Sequence, residues 1–491
     1  MLFQAFGSLL PLLLSSVSAQ TAYTTGVTGT ASAVTAAAAQ ATVPITVSGN
    51  AFFRGSDRYY IRGVDYQPGG SSSTVDPLSS KAACDRDVPY FQQLGINTIR
   101  VYQVDNSANH DYCMSLLQKA GIYLVLDVNT AKNSLNRIDA ASSYNAPYLQ
   151  HIFATVDAFK GYPNTMAFFA GNEVVNDDLN VPVATWVKAV VRDMKQYITA
   201  QSTRYIPVGY SAADVANSRI PLAEYFNCGA NATRTDFYAF NTYEWCGASS
   251  YTQSGYSQLV AGFSNYSAPL FFSEYGCNLV QPRAFSEVEA IYSTDMTSVF
   301  SGGLVYEYSQ EDSAYGLVNV ADGSSTVTLL TDYQNLMKEF ASTANPTGAG
   351  GYVTGRAASS CPANTTTFAG VWAEDVLPVQ PAGAAQYIKS GAGKPLGDGL
   401  ATQNAGAAAV SNVSAAAVSG SSGTNSAAAV SGTARSSATN AAAGASSAAS
   451  STASSTASST ATTKSMASLV SSNGYGLVAM SFVLAACGLL I

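Results

Sequence analysis

Apolar residues in the middle of the chain gather into eight short runs, each continuous and each broken off by polar or aromatic residues. The runs span 61–67, 96–104, 123–129, 165–174, 206–212, 237–245, 269–276 and 302–310. Such runs fit strands buried on both faces, as in a parallel sheet covered by helices. Most of the intervals carry helix-like periodicity, clearest at 78–94, 111–120, 148–160, 183–200 and 287–300. Eight strand–helix alternations predict an α/β fold of the (β/α)8 barrel type. Upstream, 45–60 sets Gly49-Asn50 and Gly55-Ser56 between apolar residues, which predicts small hairpins capping the bottom of the barrel.

A barrel of this type builds its active site at the C-terminal ends of its strands, so the residues that end each run are the informative ones. They read Asp65-Tyr66-Gln67, Arg100-Val101-Tyr102, Asp127-Val128-Asn129, Asn172-Glu173, Tyr210-Ser211, Asn241-Thr242-Tyr243-Glu244, Glu274-Tyr275 and Tyr306-Glu307-Tyr308. One carboxylate at a strand end is commonplace. Here Glu173 closes the fourth strand and Glu274 the seventh, on opposite sides of the expected mouth. Two such carboxyl groups can cleave a glycosidic bond with retention, one as acid and then base, the other as nucleophile. The acid needs a raised pKa and the nucleophile must stay ionised. Asn172 is placed to hydrogen-bond a sugar 2-hydroxyl, and Tyr243 and Tyr306 to reach Glu274 or the ring it attacks.

Composition narrows the ligand. The net charge of −8 leaves no electrostatic footprint for nucleic acid, and 29 Tyr with 20 Phe suit a neutral, ring-shaped ligand such as a sugar. Residues 1–19 read as a signal peptide, 20–42 as a flexible lead-in, 43–345 as the catalytic barrel and 346–400 as an extended wrap. The Ser/Ala/Thr-rich residues 401–470 read as a disordered stalk and 471–491 as a lipid-attachment signal. Cys487 lies in that tail, leaving Cys84, Cys113, Cys228, Cys246, Cys277 and Cys361, an even set that implies three disulfides in a secreted chain. With no C-x-x-C spacing and two histidines, no metal site or cofactor is expected. Candidate N-glycosylation sites are Asn231, Asn265, Asn364 and Asn412.

Five runs carry a resemblance: R-G-V-D-Y-Q-P-G-G from Arg62, D-V-P-Y-F-Q-Q-L-G-I-N-T-I-R-V-Y from Asp87, F-F-A-G-N-E-V from Phe168, F-F-S-E-Y-G-C from Phe271 and L-V-Y-E-Y-S-Q-E from Leu304. Together they resemble the fungal GPI-anchored β-1,3-glucanosyltransferases of the cell wall. The resemblance implies Glu173 as acid/base and Glu274 as nucleophile. It places glucan contacts at Tyr102, Asn172, Asp214, Arg219 and Tyr306, with Tyr315 a further candidate contact and a donor-bordering loop running from Asn129 to Arg137. It also implies the pairings Cys84–Cys113, Cys228–Cys361 and Cys246–Cys277. The expected partners are β-1,3-glucan donor and acceptor chains and, through a lipid anchor, the membrane; the protein is expected to be a monomer. A hydrolase of the same fold, or a catalytically silent glucan-binding wall mannoprotein, remains the alternative at this stage.

Overall fold

A computed structural model describes residues 42–320, 325–363 and 377–398. The signal peptide, nearly all of the lead-in, the stalk, the attachment signal and the sequons at Asn364 and Asn412 lie outside the described residues. Three short antiparallel strands come first, β1 (Ile45–Ser48), β2 (Ala51–Arg54) and β3 (Asp57–Tyr59). Eight parallel strands follow: β4 (Ile61–Asp65), β5 (Thr98–Val101), β6 (Tyr123–Asp127), β7 (Thr165–Asn172), β8 (Val208–Ala213), β9 (Phe237–Thr242), β10 (Leu270–Tyr275) and β11 (Phe300–Val305). They pair in sequence order and β11 returns to β4, closing the barrel. The opening hairpins plug its lower end: the Phe52 ring meets Phe237 and Phe271 edge-on at 5.8 and 5.9 Å, above which Phe169 continues the aromatic core.

The helices α1 (Lys81–Leu94), α2 (Asp111–Lys119), α3 (Ala140–Ser143), α4 (Ala146–Phe159) and α5 (Ala184–Gln201) connect the first five barrel strands. Helix α1 starts where the Ser80 side chain accepts the Ala83 N–H and stops at left-handed Gly95, an N-cap and C-cap pair legible in the sequence. Then come α6 (Arg219–Asn227), α7 (Tyr256–Phe263), α8 (Glu287–Ile291), α9 (Thr294–Thr297), α10 (Thr331–Ser342) and α11 (Ala384–Ser390). Disulfides join Cys84 to Cys113, Cys228 to Cys361 and Cys246 to Cys277. The first ties α1 to α2, and the last ties the two loops that follow Tyr243 and Glu274.

Three elements differ from the sequence reading. The predicted helix at 287–300 is two short helices, because the Tyr292 hydroxyl turns inward to donate to the Ile61 carbonyl at 2.7 Å and Ser293 takes extended backbone. The last barrel strand begins at Phe300 and not at 302, with Gly302 and Gly303 inside it. A Cβ on Gly302 would stand 2.1 Å from the Ile61 carbonyl oxygen, so the glycine that reads as a strand breaker is what lets β11 approach β4. Finally, the segment 377–398 is not extended throughout: α11 packs on α5, with Gln201 donating to the Ile388 carbonyl at 2.8 Å.

Candidate active site

Strand β7 ends at Asn172, and the next residue, Glu173, adopts φ 47°, a left-handed conformation uncommon outside glycine and often found where function holds the backbone. Its N–H donates to the Ser211 carbonyl at 2.8 Å, and its own carbonyl accepts from Arg137 at 2.8 Å. This turn sends the carboxyl group toward β9, where the Asn241 amide donates to Oε1 at 2.8 Å. Asn172 Oδ1 accepts from Ser211 at 2.7 Å and from Asn241 at 3.3 Å. With its oxygen committed, the amide N–H₂ of Asn172 is the group left to meet a ligand.

Glu274, on β10, stands in a different environment. Oε1 accepts from the Tyr102 hydroxyl at 2.7 Å and from Arg100 at 3.2 Å, and Oε2 accepts from the Tyr243 hydroxyl at 2.6 Å. Three donors converging on one carboxylate stabilise its anion. Arg100, fully buried on β5, also holds Asp127 at 2.8 and 3.2 Å. Among the described residues no cation pairs with the Glu173 carboxyl group, and Arg100 and Arg137 act on it only from a distance. Burial, and then the nearby charge of Glu274, push its pKa up to about 6 against the weaker pull of Asn241. The two carboxyl groups in one mouth thus stand in different surroundings, one with a raised pKa and the other held by an arginine and two tyrosine hydroxyls.

Around Glu274 stand four tyrosine rings. Tyr306 meets Tyr102 and Tyr243 edge-on at 6.4 Å and Tyr315 at 5.3 Å, and Tyr243 meets Tyr315 at 5.5 Å. Tyr243 touches the carboxylate directly, whereas Tyr306 and Tyr315 wall the space in front of it. The remaining sequence-derived candidates sit one step away. Asn129 spends its amide on the Ala170 carbonyl at 2.9 Å and accepts from Tyr148 at 2.7 Å, so it fixes the end of β7. Arg219, at the start of α6 where a bare reading of the sequence places a solvated loop, pairs with Asp214 and, at 2.7 Å, with Glu244. Burial raises the Asp214 pKa to about 6 even beside that arginine.

Arg100, Asn241, Ser211 and Gln67 stand among the strand ends read from the sequence but receive no role there. Gln67 Oε1 accepts the Tyr102 N–H at 3.2 Å while its amide donates to Ser73 and Val75 carbonyls, pinning the loop after β4 to the tyrosine that donates to Glu274. Arg100 had a signal: a cation inside the apolar run I-N-T-I-R-V must find a buried carboxylate.

A raised-pKa carboxyl and a donor-held carboxylate at the C-terminal mouth of a (β/α)8 barrel define a carbohydrate-active barrel enzyme of the two-carboxylate class. Residues 34–344 match the model of the glucanosyltransferase family. The chain belongs to that family. It is 58% identical over 365 residues to the 1,3-beta-glucanosyltransferase gas4 of Schizosaccharomyces pombe, spanning 72% of this chain and 79% of that one. Against the 1,3-beta-glucanosyltransferase GAS5 of Saccharomyces cerevisiae the identity is 56% over 367 residues, covering 74% of this chain and 75% of the relative. Among solved structures, a mutant of Saccharomyces cerevisiae Gas2p in complex with laminaritetraose and laminaripentaose superposes with a TM-score of 0.64 at 39% identity, covering 69% of this chain and 75% of that one.

Proposed function

We propose that the protein is a retaining β-1,3-glucanosyltransferase that cleaves one β-1,3-glucan and passes the new reducing end to the non-reducing end of another. Glu173 in its acid form protonates the departing glycosidic oxygen while Glu274 attacks the anomeric carbon, forming a glycosyl ester on Glu274. The carboxylate left on Glu173 then takes the proton from the acceptor hydroxyl as that oxygen displaces Glu274, which returns both groups to their starting states. The amide of Asn172 meets the 2-hydroxyl of the reacting sugar, and the Tyr102, Tyr243, Tyr306 and Tyr315 rings bound the space it occupies. The observation that carries this reading is the asymmetry of the two carboxyl groups, one half-buried with a single amide on its oxygen and the other buried and held by an arginine and two tyrosine hydroxyls.

Transfer prevails over hydrolysis where the acceptor is held in line, because oriented binding reaches effective molarities of about 10⁵–10⁸ M. The three disulfides suit an oxidising, extracellular compartment, and with the terminal segments read from the sequence they support a secreted, lipid-anchored monomer working on wall glucan. The test is the product profile on laminarihexaose. Products longer than six sugars, with all-β-1,3 linkages, are expected; a profile holding only shorter products marks the chain as a hydrolase, and no turnover marks it as a silent binder.

A further inference from the structure

We infer that a groove on the outer wall of the barrel, at its active-site end, is a second β-1,3-glucan-binding site that holds the polymer beyond the catalytic cleft. The inference rests on the glucan substrate proposed above. The groove measures about 610 Å³ and lies between the first turns of α4 and α5, with residues 378–382 as its far wall. In a (β/α)8 barrel the start of each helix lies at the end of the barrel where the preceding strand finishes, so the first turns of α4, after β6, and of α5, after β7, set the groove at the end that carries Glu173.

Its lining is suited to a neutral ring and to little else. Tyr144, Asn145, Trp186, Pro378, Val379 and Pro381 contribute aromatic, proline and aliphatic faces with scattered polar atoms, and among the described residues no charged side chain lines it. The C–H faces of a pyranose pack on such surfaces, and the described lining offers an ionic ligand no counter-charge. Trp186 meets the buried Tyr144 ring edge-on at 5.5 Å and is itself half-buried, and Val379 is 88% exposed. The walls are built, not incidental: Arg192 donates to the Tyr144 hydroxyl at 2.8 Å and to the Pro378 carbonyl at 2.9 Å. Its neighbour Asp193 accepts from Gln380 at 3.0 Å and from the Tyr144 hydroxyl. One buried ion pair therefore fixes both sides of the groove before any ligand arrives, which lowers the ordering cost of binding.

The route from the cleft is short. Arg137 holds the Glu173 carbonyl, the next residue, Ile138, is 93% exposed, and Ala141 three positions later already lines the groove. A glucan leaving the cleft on the Glu173 side passes over Ile138 and meets Trp186. Continuity with a glucan cleft is what favours a sugar chain over an apolar peptide as the occupant.

The test compares long laminarin with laminarihexaose as substrates for the full chain. In Trp186→Ala, hexaose kinetics are expected to stay at wild-type level while KM for long laminarin rises about three- to tenfold, the loss of one stacking platform. Trp186→Phe, which keeps an aromatic face, is expected to recover most of that. Val379→Glu, at an exposed position that costs the fold little, is expected to raise the long-laminarin KM without touching the hexaose. Unchanged long-laminarin KM in both Trp186→Ala and Val379→Glu overturns the inference, as does a parallel rise for both substrates. Wild-type protein that turns over neither glucan overturns the substrate proposal itself, and the groove's ligand with it.

Discussion

Glu173 carries the most specific expectation at the scale of single residues. In the proposed mechanism its acid form protonates the leaving group, and burial with the neighbouring Glu274 charge raises its pKa to about 6. An acid with a raised pKa stays protonated below that value and loses its proton as pH rises through it. The kcat/KM for glucan cleavage is therefore expected to fall about tenfold per pH unit above 6. A substrate analogue with a good leaving group, such as a dinitrophenyl laminarioside, needs no acid in the first step and is expected to lose that alkaline limb. If both substrates keep the same limb, the ionisation belongs to another group. Both glutamates are legible in the sequence because each interrupts an apolar run at its C-terminal end. Arg100 is not placed by the same logic: the sequence shows a cation in a strand, but which of Asp65, Asp127 and Glu274 it meets depends on the barrel's closure.

Strands and helices, one scale up, are positioned by contacts the chain makes far from its own sequence neighbourhood. Arg219 at the head of α6 joins Asp214, after β8, to Glu244, after β9. The family resemblance makes Asp214 and Arg219 glucan contacts; in the structure they pair with each other and with Glu244, and we propose that they act on the acceptor through the placement of two loops. Arg219→Ala leaves two carboxylates uncompensated and frees both loops. The ratio of elongated to hydrolysed product is expected to drop by about an order of magnitude, with Arg219→Lys intermediate. A fall in total turnover at constant ratio assigns the network to the donor side or to folding. The strand pattern was readable from continuous apolar runs, while β11 was misplaced by two residues because a glycine pair that looks like a turn is what a tight parallel neighbour requires. Helix α11 was unreadable for a related reason: seven residues with one buried alanine show no amphipathic period.

For the molecule as a whole, the Cys228–Cys361 bridge closes 133 residues and anchors the chain that runs on past the barrel, whereas Cys84–Cys113 closes 29. In the chain-entropy account the first contributes about 5 kcal/mol and the second about 3.5 kcal/mol. Urea unfolding of Cys228→Ala/Cys361→Ala and of Cys84→Ala/Cys113→Ala is expected to rank them in that order; the reverse order means the long loop is already restrained in the unfolded chain. The pairing of these cysteines follows from the barrel's geometry and is open to sequence only through family resemblance, since six cysteines allow fifteen connectivities. The central claim is a glycosyl enzyme on Glu274 that sugar intercepts before water. It is tested most directly by trapping with a 2-deoxy-2-fluoro-β-laminaribiosyl fluoride and mapping the labelled peptide by mass spectrometry. The account predicts one added disaccharide on Glu274, none in Glu274→Gln, and faster release by added laminari-oligosaccharide than by buffer alone. A label on any other carboxylate, or turnover without a covalent adduct, contradicts it.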